Sequence, residues 1–208
     1  MRWGARFART PRWHRRSVPG WMMVWMMVRM TGVGCRRRER PDVLPGTLQT
    51  QAESLLAACR AAGKKVVTAE SCTGGLVVAT LTEIAGSSDV VERGFVTYSN
   101  VAKHEMIGVP TALITEHGAV SEEVARAMAE GALAHSRADI AVSVTGVAGP
   151  EGGTPEKPVG LVCFGLARRD KDGRGAAATS ERQVFAGDRA AVRNAAVSRA
   201  MVLLRGAL

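Results

Sequence analysis

The sequence predicts an α/β protein, a three-layer α/β/α domain around a mixed, mostly parallel sheet of about five strands. Three observations carry this expectation. Short apolar runs of strand length alternate with longer stretches whose apolar residues recur every three or four positions. The run 65–69 passes through a Gly-Gly turn straight into the helical pattern 76–81, the strand-to-helix step of an α/β sheet. Near the C-terminus, two strand-like runs (159–168 and 179–185) flank Asp170-Lys171-Asp172-Gly173, a hairpin-type turn that adds an antiparallel pair.

The folded part is expected at 46–208. Leu48, Ala52, Leu55, Leu56 and Cys59 share one face, so a helix is predicted over 47–62, with Gly63 at its C-terminal end. Thr50-Gln51-Ala52-Glu53 has the form of a capping box. Residues 65–69 read as the first strand and 73–83 as the helix behind it, followed by a turn at Gly86-Ser87-Ser88-Asp89. Residues 90–99 read as the second strand. Ser99 or Asn100 then caps a helix carrying Ala102, Lys103, Met106 and Ile107, ended by Gly108. Pro110 opens a short turn of helix. Ser121 caps a further helix, in which Glu122 and Glu123 complement the dipole and Val124, Met128 and Ala132 repeat every four residues. Residues 139–147 form the third strand and open into Gly146-Val147-Ala148-Gly149-Pro150-Glu151-Gly152-Gly153, too glycine-rich for regular structure. After the fourth and fifth strands, Asp188 caps a last helix running through Leu204.

Residues 1–45 differ in kind. Of the 28 Lys and Arg, eleven are arginines within residues 1–40, set against one acid, Glu39; residues 41–208 keep 17 basic and 18 acidic groups. The net charge of +9 therefore belongs to this arm, and the folded part gives no electrostatic reason to expect nucleic acid. The apolar run Trp21-Met22-Met23-Val24-Trp25-Met26-Met27-Val28 is far shorter than the roughly 20 residues needed to span a bilayer, and it lacks a small-x-small cleavage site. Three readings of the arm stay open. It is a disordered extension (or translation from a start set too far upstream), a membrane-surface segment, or a nucleic-acid-binding arm; the first is preferred. Cys35, Cys59, Cys72 and Cys163 form no CxxC pair or Cys/His cluster, which reads as reduced thiols of a cytoplasmic protein. The histidines show no metal-ligand spacing either, so no metal and no cofactor are expected.

The chain is organised around Ala69-Glu70-Ser71-Cys72-Thr73-Gly74-Gly75. A strand-to-helix turn lies at the mouth of the sheet, where the helix start offers unpaired N–H groups to an anion or a developing oxyanion. Ser71 is either a nucleophile or a helix cap, and its residue context alone favours the cap. Cys72 is a rival nucleophile, although a small buried hydrophobe is the plainer reading. No histidine lies in a glycine-rich strand-end setting, so a Ser-His-Asp triad stays open but has no local support. Lys103 falls in the first turn of its helix, where a cation is disfavoured and a lysine pKa is lowered. Free lysine titrates near 10.4, so holding it neutral at pH 7 costs roughly 4–5 kcal/mol. Tyr98, the single tyrosine, stands at the end of the second strand, where its hydroxyl is a candidate relay between lysine and serine. Arg189 follows a capping aspartate and is a candidate phosphate clamp. Thr73, Gly74 and Gly75 are candidates for oxyanion or substrate contact, and Gly146 and Gly149 for lining a phosphate or sugar pocket. Neither a P-loop nor a Rossmann fingerprint is present.

Several ordered motifs together resemble the CinA carboxy-terminal domain family. They are Ala69-Glu70-Ser71-Cys72-Thr73-Gly74-Gly75, Gly94-Phe95-Val96-Thr97-Tyr98-Ser99-Asn100 with Lys103, His117-Gly118-Ala119-Val120-Ser121, the glycine-rich stretch 146–153, Glu156-Lys157-Pro158-Val159-Gly160 and Phe185-Ala186-Gly187-Asp188-Arg189. The resemblance covers about 47–208. It implies a metal-independent amidohydrolase that converts nicotinamide mononucleotide to nicotinate mononucleotide and ammonia in pyridine-nucleotide salvage. It further implies Ser71 as nucleophile, Lys103 as general base and Tyr98 as the assisting hydroxyl. The expected partner is a small mononucleotide, with a homo-oligomer expected and no membrane span. A non-catalytic nucleotide-binding module of the same fold is the alternative.

Overall fold

The computed structural model describes residues 46–170 and 176–208. The arm at 1–45 and the hairpin tip at 171–173 lie outside the described residues. Helix α1 spans Gly46–Ala62 and buries Leu48, Ala52, Leu55, Leu56 and Cys59, the predicted face. Thr50 does not cap it. The helix already begins at Gly46, so Thr50 stands one turn inside and its hydroxyl donates to the Gly46 carbonyl at 3.1 Å.

Strand β1 (Val66–Glu70) is buried along its whole length. It leads through a turn into α2 (Leu76–Thr82), which starts later than residue 73 because Gly74 and Gly75 adopt positive φ, 60° and 92°. A non-glycine residue is strained in that region. Strand β2 (Val91–Val96) is followed by α3 (Asn100–Ile107), α4 (Thr111–His117) and α5 (Glu122–Ala134). Of the two caps considered for α3, Ser99 is the one used, its hydroxyl accepting from the Ala102 N–H at 3.0 Å. Ser121 caps α5 in the same way. Strands β3 (Ile140–Gly146), β4 (Leu161–Arg169) and β5 (Ala176–Val184) precede α6 (Arg189–Gly206), which Asp188 caps through the Ala191 N–H at 2.8 Å.

The five strands form one sheet in the order β2-β1-β3-β4-β5. β1 is parallel to both β2 and β3, whereas β3–β4 and β4–β5 are antiparallel. The sheet is thus a parallel three-stranded half extended by a hairpin. One face packs α1, α2 and α6 through Val66, Ile140, Val142, Val144, Val162 and Phe164. The other packs α3, α4 and α5 through Val67, Ala69, Ala141 and Ala167. β1 contributes to both cores because successive side chains point to opposite faces. The chain leaves β1 toward one face and β2 toward the other. In such sheets the usual ligand position is at the C-terminal ends of two strands that diverge in this way.

Among the described residues, no helix is long and apolar enough to cross a membrane, and no group of His, Cys, Asp and Glu is placed to hold a metal ion.

Candidate active site

Side-chain alternation at the end of β1 sends two consecutive residues in opposite directions. Glu70, fully buried, turns toward α2, and its carboxylate accepts from the N–H groups of Gly75 (3.0 Å), Val77 (3.0 Å) and Val78 (2.9 Å) and from the Thr68 hydroxyl (3.2 Å). Ser71 turns toward α3, where the Lys103 amine lies 3.1 Å from its Oγ. The geometry speaks to the cap reading of Ser71 only: its side chain does not cap α2. The N-terminal N–H groups of α2 are satisfied by Glu70, and Gly75 at the N-cap makes no side-chain cap bond. Ser71 is left free for Lys103.

Lys103 is 1 % exposed and among the largest fully buried side chains. Its Nζ also lies 2.9 Å from the Thr97 carbonyl and 3.4 Å from the Tyr98 carbonyl. Burial pushes its pKa below the ordinary lysine value. Nζ donates to the Ser71 Oγ and to both carbonyls; once deprotonated it would keep two N–H donors and turn its lone pair toward the Ser71 hydroxyl. Cys72 is 6 % exposed, and burial pushes its thiol up to about 12, with the nearby Glu70 carboxylate adding to the rise. The thiol is therefore protonated at neutral pH and is a poor nucleophile.

The sequence-predicted residues fall into place unevenly. Ser71 and Lys103 meet directly, with no group between them. Tyr98 contributes its backbone carbonyl, while its side chain is 64 % exposed; the hydroxyl relay expected from the sequence does not form, since lysine and serine already touch. Gly74 and Gly75 shape the turn but do not offer free N–H groups. Gly74 donates to the Ser71 carbonyl at 3.0 Å and Gly75 to Glu70. Among the described residues, the turn's N–H groups without an oxygen acceptor are those of Cys72 and Thr73. Thr73 is buried, and its hydroxyl makes no hydrogen bond. Gly146 ends β3, where a Cβ would come within 2.6 Å of the Leu161 carbonyl. Gly149, at φ 80°, accepts through its carbonyl a hydrogen bond from Arg189 at 2.9 Å. Arg189, an exposed residue, therefore ties α6 to the glycine-rich loop.

Two residues escaped the sequence reading. Glu70 was visible as a lone carboxylate at the end of a strand otherwise free of charge, directly before a helix start. Arg193 lies one turn beyond Arg189 on α6, and its Nη2 donates to the Thr73 carbonyl at 2.6 Å. The spacing of four was legible, but not the target 120 residues away.

The fold and site have clear relatives. The family model described as the CinA C-terminal domain matches residues 48–208. A nicotinamide-nucleotide amidohydrolase PncC from Enterobacter agglomerans is 55% identical over 150 residues, 72% of this chain and 88% of that protein. The PncC of Escherichia coli K12 is 52% identical over 157 residues, 76% of this chain and 92% of that protein. A putative competence-damage inducible protein from Symbiobacterium thermophilum is 55% identical over 146 residues, 69% of this chain; the match spans only 34% of that longer protein. Among solved structures, the competence/damage inducible protein CihA from Agrobacterium tumefaciens superposes with a TM-score of 0.73 at 45% identity, covering 80% of this chain and 98% of that one. A match to the family model over most of its length, with relatives above half identical, means that this chain belongs to the CinA C-terminal domain family.

Proposed function

We propose that this protein is a nicotinamide-nucleotide amidohydrolase that uses Ser71 as nucleophile and Lys103 as its base. The observation that carries the mechanism is the buried Lys103 Nζ, 3.1 Å from the Ser71 Oγ, with a pKa lowered by burial. The substrate class rests on the PncC relatives, which span nearly the whole of those enzymes.

In the first step the Ser71 Oγ–H proton passes to neutral Lys103, and Oγ forms a bond to the carboxamide carbon. The carbonyl π pair moves onto oxygen. The N–H groups of Cys72 and Thr73 receive that oxyanion, each donor in such a role worth about 3–4 kcal/mol. As the intermediate collapses, the C–N bond breaks, the Lys103 ammonium gives its proton to the departing nitrogen, and ammonia leaves. Water then attacks the Ser71 ester, giving a proton to Lys103. The second collapse returns that proton to Ser71 Oγ and releases the nicotinate nucleotide. Arg189 and the loop holding Gly146 and Gly149 bear on the ribose and phosphate. Tyr98, exposed at the rim, contacts bound substrate rather than the proton path.

The test is ammonia release from nicotinamide mononucleotide by the purified full chain. Release is expected from wild type and is lost in folded Ser71→Ala. Mononucleotide binding without turnover in wild type would instead identify a non-catalytic binding module and overturn the enzymatic reading.

A further inference from the structure

We propose that Glu70 and Arg193 are positioning residues that grip the Ser71–Gly75 turn from its two sides and hold Ser71 in its attacking geometry; this deepens the amidohydrolase reading and rests on it. The turn has little regular structure of its own. Gly74 and Gly75 both sit at positive φ, and α2 has only seven residues to anchor it. Short glycine turns are conformationally permissive. Yet the last residue of this turn is tied to β1 through Glu70, and its middle residue to α6 through Arg193.

Glu70 supplies the first grip. Its carboxylate is fully buried and receives four hydrogen bonds, three of them from main-chain N–H groups of Gly75, Val77 and Val78. Those three bonds fix the end of the turn relative to the residue immediately before Ser71. They also fill the start of α2, so the N–H groups without an oxygen acceptor left beside the nucleophile are those of Cys72 and Thr73, which face the Cys72 sulfur.

Arg193 supplies the second grip. Its Nη2 reaches the Thr73 carbonyl, which also accepts from Leu76 N–H at 3.2 Å. The next N–H along, that of Gly74, donates to the Ser71 carbonyl. The peptide joining Thr73 to Gly74 is thereby held at both its oxygen and its nitrogen. Among the described residues Arg193 pairs with no acid, and its buried Nε has no acceptor. A cation kept half-buried without a carboxylate partner, yet aimed at a main-chain oxygen of the nucleophile turn, is accounted for by a role at that turn. Arg189, one helical turn earlier, holds the Gly149 carbonyl in the same manner.

The test uses the full chain carrying Glu70→Gln or Arg193→Met. Glutamine keeps the shape of Glu70 but faces at least one main-chain N–H with an N–H of its own. Three quantities are read: kcat and KM for ammonia release from nicotinamide mononucleotide, the rate at which a fluorophosphonate probe labels Ser71, and the melting temperature. In the labelling step Ser71 Oγ bonds to phosphorus, fluoride leaves and the proton passes to Lys103, so it reads nucleophile geometry without the natural substrate. Misplacing a reacting atom by about 1 Å costs on the order of 10²-fold. Each folded variant is therefore expected to lose about ten- to a hundredfold in both kcat and labelling rate, with KM within about threefold of wild type. The proposal is overturned if either folded variant keeps both rates within about twofold of wild type. It is equally overturned if Arg193→Met raises KM and leaves labelling untouched, which would mark a substrate-phosphate contact instead. Should Glu70→Gln fail to fold, Arg193→Met decides alone. If wild type is labelled but releases no ammonia from the mononucleotide, the substrate reading fails and the labelling rates still decide the brace. If wild-type Ser71 is not labelled at all, the brace falls with it.

Discussion

Replacing Lys103 by methionine separates two consequences of burying an amine, one in catalysis and one in stability. Methionine matches the lysine stem in length but offers neither a lone pair for Ser71 nor a donor for the Thr97 carbonyl. General-base assistance is worth about 10²–10⁴-fold, so kcat is expected to fall by at least about 10². Thr97 O loses its side-chain donor, at a cost of about 1–3 kcal/mol if no water replaces it. Against this, the variant no longer buries an ionisable group. The sign of the pH effect follows from the lowered pKa. Between the folded-state pKa and the unfolded value near 10.4, the unfolded chain holds a proton that the native protein has shed. Wild-type stability therefore rises with pH through that window, by at most about 1.36 kcal/mol per pH unit, and below it the buried charge is a standing penalty. Lys103→Met lacks this contribution. Urea unfolding of both proteins across the neutral-to-alkaline range gives the difference curve, in which the titration of the cysteines cancels. Wild type should gain on the variant as pH rises. Parallel curves, or a variant retaining more than about a tenth of wild-type kcat, would refute the reasoning.

Other outcomes follow from the same geometry. kcat/KM of wild type should climb with pH as Lys103 loses its proton, and initial rates across buffers should show that acid limb flatten in Lys103→Met. Cys72→Ala should keep kcat within about threefold, because a thiol pushed up to about 12 supplies no thiolate at neutral pH; steady-state ammonia assays check this. Ser99→Ala removes the cap of the helix that carries Lys103 and should cost about 0.5–2 kcal/mol in urea unfolding. Gly165→Ala should be far worse, since a Cβ there would run into the Ala125 carbonyl and come within 2.6 Å of the Ser143 hydroxyl; overpacking costs typically about 1–3 kcal/mol, and more where backbone must move, which thermal melts would show.

Most of the fold could be read from local chemistry. The caps Ser99, Ser121 and Asp188 and the terminator Gly63 each act within a few residues, so their signals are local and the helix ends fall close to expectation. Thr50 misled because a Thr-x-x-Glu pattern looks the same at a helix start and one turn inside it. The start of α2 was displaced because two positive-φ glycines delay the helix, which hydrophobic periodicity does not register. Sheet order is a non-local property, and no sequence pattern states that β1 lies between β2 and β3.

The site followed the same division. Ser71 and Lys103 stood out for their awkward local settings, a hydroxyl in a glycine turn and a cation early in a helix. Their contact depends on how far α3 tilts over the end of β1, which only the packed structure fixes. Tyr98 shows the reverse case. Its position beside the site was legible, but the orientation of its ring was not, and the ring faces outward.

The opposite headings of Glu70 and Ser71 set how this region can vary. A deletion of one residue inside β1 would exchange their directions, aiming a hydroxyl at α2 and a carboxylate at the Lys103 amine. An ion pair would replace the free base, and α2 would lose the oxygen that receives its first N–H groups. The length of β1 is therefore as constrained as the identity of the residues at its end. Variants that insert or delete a single position between 66 and 70 should be silent in activity even where they fold, whereas the crossover from β3 to β4, which leaves the sheet altogether between 147 and 160, has no such parity to keep.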